Sequence, residues 1–153
     1  MKRIIFLISL ISAGICSCSD KNEDISIEVN QYQIPVLINK ENNPVLQMVI
    51  KPSDSSEIKI KEVTANLQGT TDLNDIRAVR LFITEDGKNF NTGKQFGTDQ
   101  LPSDEITFKD RLIVNDTISL WLSVELIEKA NLLNKISAKC GSVHTDRGKL
   151  VQD

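Results

Sequence analysis

"IKIKEVTANLQGTTDLNDIRAVRLFIT", residues 58–84, decides the fold. Ile58 and Ile60 lie in one alternating phase, and Val63, Ala65 and Leu67 lie in the other. A phase slip inside one strand marks a β-bulge, here near Lys61-Glu62. After the polar knot, Val79, Leu81 and Ile83 alternate with Arg80 and Phe82, which is a second strand. The knot between them holds Thr70, Thr71, Asp72, Asn74 and Asp75. A calcium loop of the EF type needs oxygens at alternate positions and a closing glutamate at the twelfth, and that pattern is absent. The same residues fit a short helix start. Thr71 or Asp72 serves as N-cap, the first turn is acidic, and Ile76 points back into the core. The knot therefore reads as a one-turn connector, held by Thr71, Asp72 and Asp75, that carries the chain from one sheet to another. A cation loop and a sugar contact are its other readings.

Period-two alternation extends in both directions, and helical periodicity is nearly absent. Upstream, Ile25, Ile27 and Val29 alternate with polar neighbours. "IPVLI" (34–38) follows, with Pro35 suggesting an edge or a bend. "NKENN" is a turn, and "PVLQMVI" (44–50) is an apolar run closed by "KPSDSSE". Downstream, "EDGKN" reads as a hairpin turn, and residues 91–104 read as loop. Ile106 and Phe108 make a short strand that Leu112 and Val114 can continue. Ile118, Leu120, Leu122 and Val124 form the cleanest strand. "LIEKANLLNK" (126–135) has room for one helical turn. Ile136, Ala138 and Cys140 then alternate, and Val143 has slipped phase. About eight short strands at this spacing indicate an all-β fold, an antiparallel β-sandwich of jelly-roll or immunoglobulin-like type.

The first residues read as a targeting segment. Lys2-Arg3 is a basic n-region, and residues 4–15 are an apolar core of signal-peptide length, too short to span a bilayer. Cys18 has Ile15 three back and Ser17 just before it, which fits a lipoprotein signal peptidase site. Cys16, with Ala13 three back and Ile15 just before it, is the alternative. The division is then residues 1–17 as lipoprotein signal, 18–26 as acidic tether and 27–153 as one domain. Lipidation at Cys18 implies a membrane partner through the lipid anchor, and the acidic tail of residues 19–24 resembles a surface-export tag, which implies the outer membrane with display at the cell surface. An ordinary secretory signal, with a periplasmic or secreted product, is the alternative. Loss of Lys2 and Arg3 takes the formal charge from −3 to −5, which argues against a nucleic-acid partner. Cys140 would be left alone, so no intramolecular disulfide could form and the core must carry the fold.

Catalytic motifs are missing: there is no G-x-S-x-G elbow, no HExxH and no P-loop. His144 is the lone histidine, too few for a typical zinc site. Asp104-Glu105 are adjacent, and neighbours on a strand point to opposite faces, so they are poorly placed to flank one sugar bond. No catalytic residue, metal site or cofactor is expected. For binding, Ser119, Trp121 and Ser123 lie opposite the apolar side of their strand. A tryptophan between two serines on an outward face can stack on a sugar, or it can be covered by a loop or a neighbouring domain. Tyr32 is the only tyrosine. Arg77, Arg80, Arg111 and Arg147 could each grip a carboxylate bidentately. Trp121, Tyr32 and Arg80 are the glycan-binding candidates.

The order of "IPVLINKENNPVLQMVI" (34–50), "LQGTTDLNDIRAVRLFIT" (67–84), "SLWLSVEL" (119–126) and "NKISAKCGSV" (134–143) resembles the N-terminal domain of bacterial BNR-repeat sialidases, over roughly residues 28–150. That resemblance implies a β-sandwich that acts as an accessory, carbohydrate-binding-like module ahead of a six-bladed catalytic propeller. Two departures matter. The family's Asn-Tyr-x-Trp run is Ile118-Ser119-Leu120-Trp121 here, which thins the aromatic platform. A six-bladed propeller, at about 40–45 residues per blade, exceeds what this chain holds. "ITEDGKNF" (83–90) is not an Asp-box, because its glycine follows the aspartate directly. The resemblance thus implies no catalytic residues here. It implies a non-catalytic module that binds glycans, sialylated ones included, or assists a partner sialidase or other glycan-processing enzyme. A truncated exo-α-sialidase and a protein-docking β-sandwich with no sugar site are the alternatives.

Overall fold

The computed structural model describes residues 25–32, 35–53, 57–85 and 89–151. The signal, Cys16, Cys18 and most of the tether lie outside the described residues. The strands are β1 (Ile25–Gln31), β2 (Asn43–Pro52), β3 (Ile58–Asn66), β4 (Ile76–Thr84), β5 (Glu105–Val114), β6 (Ile118–Leu126), β7 (Lys139–Thr145) and β8 (Lys149–Val151). They form two antiparallel sheets of four strands, in the orders β1-β2-β6-β4 and β5-β3-β7-β8. The expected eight-strand β-sandwich is therefore present.

From β2 to β7 the chain changes sheet at every connection. Each of those strands must then bury one face against the opposite sheet, which is why the alternation is so regular. Leu46, Leu122 and Leu81 lie in one cross-strand row of the first sheet, and Met48, Leu120 and Ile83 lie in the next. Ile60, Val63, Ala65, Phe108 and Val143 meet them from the second sheet in one core cluster.

The phase slips are bulges. Between Ile60 and Glu62 the register of β3 shifts against both β5 and β7. The slip from Cys140 to Val143 comes from Gly141, which is skipped as Ala65 pairs with Cys140 and Thr64 with Ser142. A Cβ at Gly141 would lie 3.1 Å from the Thr64 carbonyl oxygen, so a larger residue there would press on β3. β5 is one continuous strand of ten residues, with an extra residue at Asp110-Arg111 opposite Lys61.

Two loop regions differ from the sequence expectation. Residues 126–135 hold no helical turn; Ala130 N–H donates to Ile127 O (3.2 Å) and Asn134 N–H to Asn131 O (2.9 Å), giving two tight turns. Asn131 and Asn134 favour turns over a helix interior because their side chains compete for backbone groups. Residues 94–100 stay outside the regular strands, yet they run antiparallel to β4 and cover its edge. Phe96 N–H donates to Leu81 O (2.7 Å), Gln100 and Val79 exchange two bonds of 2.9 Å, and Ile83 N–H donates to Lys94 O (2.8 Å). The expected hairpin turn falls on 85–89, of which 86–88 lie outside the described residues.

Candidate functional site

The polar knot joins the two sheets, from the end of β3 to the start of β4. Asp72 is the N-cap of a single 3-10 turn, Leu73–Asp75, and accepts from Asn74 N–H at 2.9 Å. Ile76 follows, buried in the core. The knot's remaining polar groups bond to the segment before β7. Thr71 N–H donates to Lys135 O (2.9 Å), and Thr71 Oγ1 accepts from Lys135 N–H (3.0 Å). Thr70 Oγ1 donates to Ser137 O (3.1 Å) and accepts from Ser137 N–H (3.0 Å). Asp75, 8% exposed, accepts from Asn134 Nδ2 at 2.8 Å, and its carbonyl accepts from Ile127 N–H at 2.9 Å. These bonds fix where residues 127–137 lie.

Trp121 does not form an open platform. It is 3% exposed, and Ser119 and Ser123 beside it are buried too. The outer face of the first sheet is covered. Asn30, Gln47, Trp121 and Phe82 form one cross-strand row. The Tyr32 ring lies 5.4 Å from Trp121, tilted 35°, and the Phe90 ring packs edge-on at 5.8 Å. Trp121 Nε1 donates to Thr84 Oγ1 at 2.9 Å, which satisfies the indole internally. Polar bonds run alongside: Tyr32 Oη donates to Gln47 Oε1 (3.0 Å), and Gln47 Nε2 donates to Ser119 Oγ (2.9 Å). Of the two aromatic candidates, Tyr32 is the outer one, at 38% exposure.

Arg80 is already engaged. Its guanidinium donates to Glu125 Oε2 and Asp99 Oδ2, each at 2.8 Å, and to Glu41 O at 3.1 Å. Burial works against its charge, but the bonds from Glu125 and Asp99 outweigh that and raise its pKa. A ligand carboxylate would have to displace two protein carboxylates, so Arg80 is a structural clamp and not a free grip. Arg77 also pairs with Glu125 (3.2 Å), and Arg147 donates to Glu57 O (3.1 Å). His144 lies 3.7 Å from Glu62, which also pairs with Lys109 at 3.3 Å on the second sheet's outer face. Cys140 is buried, and burial pushes its thiol up to about 11, so it is a poor nucleophile at neutral pH. Among the described residues, no three His, Cys, Asp or Glu side chains gather as metal ligands would.

A groove of about 720 Å³ lies where several strands end. Gln31 and Tyr32 reach it from the end of β1, Val45 from β2 and Leu126 from β6. Asp75 contributes from the knot, residues 35–37 from the β1–β2 connection, and residues 130–132 and 134–138 from the β6–β7 connection. Gln31 Nε2 donates to Ala138 O (3.2 Å), bridging two of its sides. Polar groups include Asn131, Asn134, Lys135 and Ser137; apolar ones include Val36, Leu37, Leu132 and Ile136. Lys135 is exposed and has no ion-pair partner among the described residues. Tyr32 therefore belongs to both the aromatic stack and the groove, whereas Trp121 and Arg80 do not line it. The groove escaped sequence reasoning because its residues are far apart in the chain. The one local hint was a leucine pair set between asparagines in "NLLN".

Residues 24–107 match a sequence family described as the N-terminal domain of BNR-repeat neuraminidase. Curated protein sequences give no match. Among solved structures, the fold is similar to a chain described as Hadza microbial sialidase Hz136, with TM-score 0.66 and 16% identity. That match covers 82% of this chain and 29% of the sialidase, so this chain spans under a third of that protein's length. At this identity the likeness is one of fold. The family match is a likeness of sequence over more than half of the chain, and by it this chain belongs to the N-terminal domains of BNR-repeat neuraminidases.

Proposed function

We propose that this domain is a non-catalytic accessory module of a neuraminidase, anchored at the outer membrane by a lipid on Cys18, and that it holds glycans in the groove at Tyr32. One observation carries the glycan reading. A partly exposed aromatic ring stands at the wall of a 720 Å³ groove, with side-chain amides and the exposed Lys135 ammonium in the same lining. Sugar C–H faces pack on aromatic rings, amides meet hydroxyl and N-acetyl groups, and Lys135 suits the carboxylate of a sialylated sugar. Family membership supports the same reading, because the module accompanies an enzyme that acts on such sugars.

Calorimetric titration with sialylated and desialylated mucin sugars tests it. Binding should favour the sialylated sugars. Tyr32→Ala should weaken it by about tenfold, equivalent to about 1.4 kcal/mol, and Lys135→Ala should erase the sialylated preference. A folded protein that gives no heat with any of these sugars at millimolar concentration would overturn the proposal.

A further inference from the structure

Asp75 holds the knot in place and has an oxygen to spare. The residue is 8% exposed and lines the groove. Its Oδ2 accepts from Asn134 Nδ2 at 2.8 Å. Among the described residues, nothing donates to Oδ1 and no ion pair reaches the carboxylate. Nor is Oδ1 a sealed orphan, because among the described residues the one buried side-chain oxygen without a partner is Ser123 Oγ. Oδ1 therefore opens outward, and the surface that Asp75 lines is the groove.

A carboxylate nine-tenths out of water is costly unless donors satisfy its oxygens. Holding Asn134 takes one acceptor, which a neutral side chain could supply. The second oxygen is met by water in the free protein and is available to a donor that enters the groove. The lining says which kind. An ammonium would meet Lys135, exposed in the same lining, and like charges oppose each other. A hydroxyl brings a donor without a charge. A sugar brings several, around a ring whose C–H face suits Tyr32.

We infer that Asp75 is the hydroxyl-accepting anchor of the groove, taking an O–H of a sugar ring on Oδ1 while Oδ2 stays on Asn134. This rests on the glycan reading and divides the work within it. Lys135 distinguishes charged sugars from uncharged ones. Asp75 distinguishes sugars from ligands of similar shape that lack hydroxyls, since a buried acceptor left without its donor penalises the wrong ligand.

Calorimetric titration of the full chain with lactose, sialyllactose and permethylated lactose tests it. Permethylated lactose keeps the sugar rings and offers no O–H, so it should bind the wild type about tenfold or more weakly than lactose. Asp75→Asn keeps an acceptor for Asn134 and turns a donor toward the groove. It should weaken lactose and sialyllactose by a similar factor, about tenfold, with little change in melting temperature. Thr71→Val cuts another tie to the same connection, the bond from Lys135 N–H, at a residue that does not line the groove. Its melting temperature should fall while its affinities stay within about twofold of the wild type. Equal binding of lactose and permethylated lactose by the wild type overturns the inference. So does an Asp75→Asn variant that binds like the wild type, or a Thr71→Val variant that loses as much affinity as Asp75→Asn. In each of these cases lactose still binds and the glycan reading stands. A folded wild type that binds none of the three sugars overturns both.

Discussion

Trp121 shows how little a residue type says without its surroundings. The indole is enclosed by Tyr32 and Phe90 and bonded to Thr84. Removing it should cost stability before it costs binding. Trp121→Ala should destabilise the domain by about 3–5 kcal/mol in urea unfolding. Trp121→Phe should cost less, about 1–3 kcal/mol, mainly from the unmet Thr84 hydroxyl. Unchanged stability together with lost sugar binding would restore Trp121 as the contact residue. The sequence could not distinguish these cases. Alternation at Ile118, Leu120, Leu122 and Val124 assigns two faces but does not say what covers the second one. Arg80 was opaque for a related reason: Glu125 and Asp99 are 45 and 19 residues away. The turn at Asp72 was legible because its cap contact spans two residues.

At the scale of elements, the informative feature is the segment that covers the edge of β4. Asp110, on the β5 bulge, accepts from Gly97 N–H (3.0 Å) and Arg111 N–H (2.7 Å). These bonds hold its carboxyl below the usual carboxylate range. Gly97 sits at φ +72°, and a Cβ there would lie 3.1 Å from Lys109 O. Asp110 thus fastens residues 94–100, which close the β4 edge, to the opposite sheet. Its pKa is lower in the folded state, so its contribution is present above the ordinary aspartate range and is lost as pH falls through the folded value. Asp99, lowered by Gln95 and then by Arg80, adds in the same direction. Asp110→Ala should cost about 1 kcal/mol and speed amide exchange at Phe96, Gly97 and Gln100. The variant should also lose part of the wild type's acid sensitivity in melting temperature. Equal exchange in both proteins would mean that the edge holds without this fastening. The bulges near Lys61-Glu62 and at Gly141 were readable because each reverses the phase of a strand. The edge cover was not, since its pairing uses isolated bridges that leave no periodic trace.

For the whole molecule, the sequence expressed the sandwich well because sheet switching at each step from β2 to β7 forces every strand to show one buried face. It expressed the groove poorly, since strand ends and connections meet there with no shared pattern. The proposed attachment also belongs to this scale. Metabolic palmitate labelling should vanish in Cys18→Ala and persist in Cys16→Ala; the reverse result would move the anchor by two residues.

Position along β1 has a mechanical meaning. The strand enters at Ile25 and delivers Gln31 and Tyr32 to the groove seven residues later, about 20 Å at strand rise. A pull between whatever holds the chain ahead of Ile25 and whatever is gripped at the groove runs along the axis of β1. Its seven register pairs with β2, from Ile25–Pro52 to Gln31–Leu46, are then loaded together in shear instead of being peeled one at a time. A load between those two points would therefore meet the β1–β2 pairing in shear.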